Sequence, residues 1–149
     1  MLKPGRWLTV EFHNTDPAVW AAIQSAVGAA GFSIESVARL DKGSSTILED
    51  IRPSAARHDL LISARKRARA SFRGLRAGSS GAVWGAVEAR LRALPTEGPE
   101  AAQRTRHHLY AWMLAEHVAA GRAVPLGSAA FLAGLRARFR EREERFYPV

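Results

Sequence analysis

The chain contains no cysteine. A disulfide framework and a thiolate metal site are therefore excluded, and a reducing, cytoplasmic setting is the expectation. No apolar run approaches the ~20 residues needed to cross a bilayer, and the opening "MLKPGRW" lacks the apolar core of a secretory leader, so no membrane partner is expected. Two prolines never stand together and Gly-x-Gly never occurs, which removes the dinucleotide fingerprint and the phosphate loop. No serine sits in a nucleophile elbow. Read alone, the chain shows no self-sufficient active site.

Lysine is also scarce. Of 22 basic residues only Lys3, Lys42 and Lys66 are lysines, leaving nineteen arginines in a chain with net charge +8 and pI near 11.1. Arginine's planar fork suits phosphate and base edges, so a nucleic acid is the partner this charge suggests, although arginine-rich composition alone produces the same balance. The 149 residues, 47% of them apolar, suffice for one domain with a core, or a compact unit plus an extension.

"RWLTVEFHN" has the apolar, β-branched character of a strand buried on both faces. Thr15 or Asp16 can cap the helix that follows and Pro17 suits its first turn, with Val19, Trp20, Ile23, Ala26, Val27 and Ala30 along one face. Gly31 ends that helix. "FSIESVARL" predicts a strand whose alternation breaks at Ser36–Val37, the mark of a bulge or an early end. A long loop follows over residues 41–58, with a short strand possible at Thr46–Leu48. "DLLISAR" then pairs antiparallel with the preceding strand.

Between Asp59 and Glu88 there is no acid, and Arg65, Lys66, Arg67, Arg69, Arg73 and Arg76 fall together before a Gly/Ser cluster. That run is a tether or a phosphate-contacting arm. Three helices should follow: one capped by Ser79 or Ser80, one begun at Pro99 and ended by Gly121, and one capped by Ser128. The closing "FREREERFYPV" should fray. Five histidines invite a metal search. His107 and His108 point to different faces of their helix, and His117 is better explained as a core histidine.

One feature bears on function directly: "EFHN" ends a strand at the point where open α/β sheets gather ligands. Here "LKPGRWLTVEFHNTDPAVWAAIQSAVGAAGF" and "LDKGSSTILEDIRPSAARHDLLISARK" resemble the late part of the catalytic domain of bacterial adenine-specific, amino-methylating DNA methyltransferases. "LPTEGPEAAQRTRHHLYAWMLAEHVAAGRAVPLGSAAFLAGLRARFRER" is similar to the C-terminal extension of their large members, often found in phage-restriction settings. The resemblance implies an α/β fold: a partial doubly wound sheet in strand-helix-strand-strand order over residues 1–66, a basic linker over 67–80, and an all-helical extension over 81–149.

It also implies that "LTVEFHN" follows the strand bearing the family's Pro-Pro motif, with the later hairpin ending the sheet. Neither that motif nor the family's glycine-rich S-adenosylmethionine turn is present, so no cofactor is expected on this chain alone. A fragment or split subunit that is inactive by itself is the implied reading, its missing motifs supplied by a companion polypeptide. Phe12, His13 and Asn14 would then border the flipped adenine, and Arg39, Lys42 and Arg52 would face DNA phosphates, joined by Arg65, Lys66, Arg67, Arg69 and Arg73 of the basic run. Where relatives carry Thr-Ser-Pro, this chain has Ile51-Arg52-Pro53. A stand-alone DNA-binding module using Arg136, Arg138, Arg140 and Arg142 is the alternative, and a gene remnant that self-associates through an exposed sheet edge is a third.

Overall fold

The computed structural model describes residues 1–41, 58–69 and 71–149. Strand β1 (Trp7–Phe12) leads into helix α1 (Pro17–Ala29), and strands β2 (Phe32–Asp41) and β3 (His58–Lys66) follow. The second part holds α2 (Ser80–Ala93), a 3₁₀ turn (Pro99–Arg104), α3 (Arg106–Ala119), α4 (Ser128–Arg138) and a small hairpin of β4 (Arg140–Arg142) and β5 (Arg145–Tyr147).

The sheet runs in the order β1-β3-β2, and β3 is antiparallel to both neighbours. β1 and β2 are therefore parallel to each other, joined through α1, with the third strand inserted between them. The predicted β2–β3 pairing is present, and the register shifts between Ile34 and Ser36, where the alternation broke in the sequence. The expected strand at Thr46–Leu48 lies outside the described residues, as do Lys42 and Arg52.

The register places Val10, Ile62 and Val37 in one row and Phe12 beside Leu60 in the next. This face meets the helices. Leu60 and Ile62 join Trp20, Val87, Leu91, Leu109, Met113, Val118, Phe131 and Leu135 in one core. The opposite face carries Trp7, Thr9, Glu11, Ala38 and Arg65, all exposed. The expectation that β1 is buried on both faces is thus corrected: its residues alternate between exposed and half-buried. Its apolar content misled because Trp7 contributes hydrophobicity from the uncovered face.

The β1–α1 junction is stitched locally. Asn14 Oδ1 accepts from the Asp16 amide at 2.7 Å, and Asp16 Oδ1 accepts from the Ala18 amide at 2.8 Å, capping α1. Trp20 Nε1–H donates to the Asn14 carbonyl at 2.9 Å. The buried stripe of α1 is Trp20, Gln24 and Gly28, narrower than the predicted apolar face, with Ala26 and Ala30 exposed. At the other end Gly31 takes φ +82°, a conformation that side chains disfavour.

Three expectations for the second part are corrected. Pro99 opens a 3₁₀ turn, and the α-helix proper begins at Arg106. Gly127, not Ser128, is the N-cap of α4 and offers no side-chain cap. The extension is not all helical and its tail does not fray: β4 and β5 pair, and Phe146 is fully buried in the core. One large apolar anchor outweighs the repulsion and solvation that the charged residues around it suggest.

The hairpin turn is unusual in chemistry. Glu143 and Glu144 have φ of +49° and +60°, the geometry of a two-residue turn normally built with Asn-Gly. Replacing them together, Glu143→Asn and Glu144→Gly, should therefore stabilise the protein by roughly 1 kcal/mol through relief of strain. Chemical denaturation would register this as a higher midpoint at unchanged slope. An unchanged or lower midpoint would count against strain at this turn.

Candidate functional site

The carboxyl end of β1 brings together the three residues singled out in "EFHN". Phe12 is half-buried and meets Trp20 edge-on, ring centroids 5.4 Å apart. Asn14 is committed to the junction described above. His13 is the accessible member: its side chain is 61% exposed, and its Nδ1 lies 3.2 Å from Oδ1 of Asp59, whose side chain is only 8% exposed.

Asp59 is the residue that sequence reasoning passed over. It is the second residue of β3, directly beyond the Phe12–Leu60 pair, so the antiparallel register carries it to His13. An acid at the head of an apolar run was the available signal. A buried carboxylate facing one ring nitrogen fixes the orientation of an imidazole and directs the other nitrogen outward. Such a pair can hold or accept a hydrogen bond or a proton at the strand end.

The adjoining α1 N-terminus is less suited to an anion than its position suggests. Pro17 carries no amide hydrogen, and the Asp16 carboxylate already occupies the first turn. On the far side of the turn, the Tyr110 hydroxyl donates to the Thr15 carbonyl at 3.2 Å. Burial, with a smaller contribution from Asp16, pushes the Tyr110 phenol well above its ordinary pKa, so it remains a donor.

The basic residues divide by what they already touch. Lys66 Nζ donates to the Ala30 carbonyl at the end of α1 and lies 4.9 Å from the centre of the Phe32 ring. Arg67 reaches Glu35 at 2.5 Å and Ser33 at 3.1 Å. Arg76 donates to the Ala120 carbonyl, and its backbone pairs with Gly121 and Ala123. Arg39 sits on the helix-facing side, near enough to Arg90 to add to the burial that lowers the Arg90 pKa.

Arg65, Arg69 and Arg73 are exposed, and Arg65 lies 5.9 Å from the Trp7 ring centre on the uncovered sheet face. The four arginines of the alternative reading are spread over two elements. Arg136 pairs with Glu141 at 2.9 Å and Arg138 stacks on Trp84, both from α4, whereas Arg140 and Arg142 belong to β4. They do not line one recognition helix.

His117 Nδ1 lies 2.8 Å from the Met113 carbonyl, so the ring is satisfied within its helix but half-buried rather than in the core. Among the described residues no group of His, Asp and Glu could hold a metal ion, and no helix is long and apolar enough to cross a membrane. What is shown is a small α/β protein with a three-stranded antiparallel sheet and several helices. No family model, curated protein or solved structure matches the chain.

Proposed function

We propose that this chain is the closing portion of the catalytic sheet of a DNA adenine methyltransferase, together with its C-terminal extension. It acts by completing a sheet whose S-adenosylmethionine and Pro-Pro motifs are carried by another polypeptide segment. The observation that most supports this reading is the free edge of β1. β1 and β2 form a parallel strand-helix-strand unit, the kind of unit that belongs to larger α/β sheets, yet among the described residues β1 is bonded on one side only, to β3. A further strand can join there, bringing its own carboxyl end beside His13 and Asp59. The uncovered sheet face leaves room for the second helical layer of a doubly wound sheet.

In this reading Phe12, His13 and Asn14 border the flipped base, with Phe12 and Asn14 acting mainly as the support that holds His13 and its strand end. Arg65, Arg69 and Arg73 contact DNA phosphates. The occupied Lys66 and Arg67 are secondary.

The β1 edge also gives a clean test. The Lys66 amide donates to the Arg6 carbonyl. Following the register from that pair, Leu8, Val10 and Phe12 bond to β3, whereas Trp7, Thr9 and Glu11 direct their amides outward. Thr9→Pro therefore removes an outward donor while sparing the β1–β3 ladder. The polypeptide encoded beside this chain should carry the Phe-x-Gly-x-Gly and Pro-Pro motifs. Co-expression of the two should place N6-methyldeoxyadenosine in plasmid DNA, read by mass spectrometry of nucleosides. Either alone should give none, and Thr9→Pro should lower the yield at least tenfold without changing the fold of this chain. Unmethylated DNA from the wild-type pair, or micromolar S-adenosylmethionine binding by this chain alone, would overturn the reading.

A further inference from the structure

The basic run after β3 is not a loose tether, because it is pinned to the body of the protein at three places. The Arg67 amide donates to the Gly31 carbonyl at 2.9 Å, just past the end of α1. The Phe72 ring sits over Gly28, so closely that an added Cβ would come within 2.3 Å of it. The Arg76 amide donates to the Gly121 carbonyl at 3.1 Å, just past the end of α3. The segment therefore runs as a fixed track from the sheet past two helix ends.

Charge is displayed along this track. Lys66 and Arg76 are engaged by the Ala30 and Ala120 carbonyls, and Arg67 holds Glu35 at 2.5 Å and Ser33 at 3.1 Å. Arg65, Arg69 and Arg73 are exposed, and among the described residues no carboxylate pairs with any of them. Aromatic surface coincides with that charge. Away from the chain ends, the large apolar side chains left exposed among the described residues are Trp7, 56% exposed, and Phe72, 38% exposed. Trp7 stands opposite Arg65 in the β1–β3 register, with the guanidinium 5.9 Å from its ring centre. That row ends at Ser33, and the next holds Thr9 and Ser63. Phe72 lies between Arg69 and Arg73 in sequence.

Arginines interleaved with open rings match a polynucleotide, in which phosphates alternate with flat bases. A paired base is already stacked inside its duplex, so only an unpaired strand offers its faces to these rings. An anionic lipid surface fits less well, because hydroxyls and a guanidinium surround Trp7 where an inserting patch needs further apolar side chains. From Arg65 to Phe72 the chain spans at most about 25 Å, a reach suited to a short stretch of strand. We propose that this end of the molecule binds single-stranded nucleic acid, with unpaired bases stacking on Trp7 and Phe72 and Arg65, Arg69 and Arg73 holding the phosphates. The surface lies at the opposite end of β1 from His13 and depends neither on the methyltransferase reading nor on a companion polypeptide.

The test uses the full chain by itself and the fluorescence anisotropy of labelled decamers: a thymidine strand, a uridine strand and a DNA duplex. A strand should bind about tenfold more tightly than the duplex, although the duplex carries the denser charge, and the tighter of the two strands identifies the sugar. Trp7→Ala and Phe72→Ala should each weaken strand binding by about tenfold and leave its salt dependence unchanged, and Trp7→Phe should keep most of the affinity. Replacing Arg65, Arg69 and Arg73 together by Gln should instead flatten the slope of log affinity against log salt by about 2. Thermal melts verify that each variant is folded, which the exposure of Trp7 and the three arginines favours. Duplex bound as tightly as strand, full strand affinity in Trp7→Ala, or capture by phosphatidylglycerol vesicles in place of either strand would overturn the proposal.

Discussion

Methionine in place of Arg104 is expected to lower the thermal midpoint by about 10 °C, the largest single effect of any arginine substitution here. Arg104 is 2% exposed and its guanidinium serves four backbone carbonyls: Pro95 at 2.8 Å, Leu91 at 2.7 Å, Phe146 at 3.1 Å, and Leu94. The ring of Tyr147 lies 4.9 Å from its central carbon. The last carbonyls of α2 and the turn after it have no partners within the helix, and Arg104 supplies them while fastening β5. Methionine matches the stem but leaves those oxygens buried and unpaired. Losing hydrogen bonds to a buried charged group costs about 3–5 kcal/mol, and a chain of this size loses roughly 2–4 °C per kcal/mol. Arg104→Lys should recover little, because an ammonium cannot span the same fork of acceptors. Calorimetry would decide the matter: a midpoint within about 2 °C of wild type would show that the carbonyl cage contributes little.

Trp20→Ala is expected to destabilise the protein by about 3–5 kcal/mol. Trp20 has no exposed surface, packs edge-on against Phe12 and donates to the Asn14 carbonyl. Alanine leaves a cavity between sheet and helices and frees the turn that carries His13. Trp20→Phe separates the two contributions, keeping much of the apolar volume while dropping the indole donor, and should cost roughly 1–3 kcal/mol. Urea titration measures both as shifts in midpoint. If Trp20→Phe were as damaging as Trp20→Ala, the hydrogen bond to Asn14 would dominate over packing. If both were silent, the junction would not depend on this side chain.

These two residues illustrate what the sequence revealed and what it hid. Trp20 stood on an apolar stripe at helical spacing, so its burial was legible, and so were the Asp16–Pro17 helix start, the Gly31 stop and the bulge near Ser36. Each of those features is local, written within a few residues. Arg104 and Gln24 were not legible, because a buried polar side chain is specified by carbonyls contributed from distant segments. The pairing of His13 with Asp59 likewise required the register of two strands that are not neighbours in sequence. The charged tail hid its hairpin because its turn uses two glutamates where turn chemistry favours Asn-Gly. The basic run gave charge but not availability: Lys66 and Arg67 are occupied by Ala30 and Glu35, contacts no composition count contains.

The placement of β3 has a consequence for how the chain comes off the ribosome. The last strand of the sheet to be synthesised is the middle one, so β1 and β2 emerge first with nothing to pair with each other through. Until Lys66 has cleared the exit tunnel, the nascent polypeptide holds two apolar strands and one amphipathic helix with no sheet available to any of them. Nucleation must then bring together strands distant in sequence, a closure whose entropic cost slows folding. Translation that pauses between residues 41 and 58 would lengthen the interval in which those strands are open to chaperones or to one another.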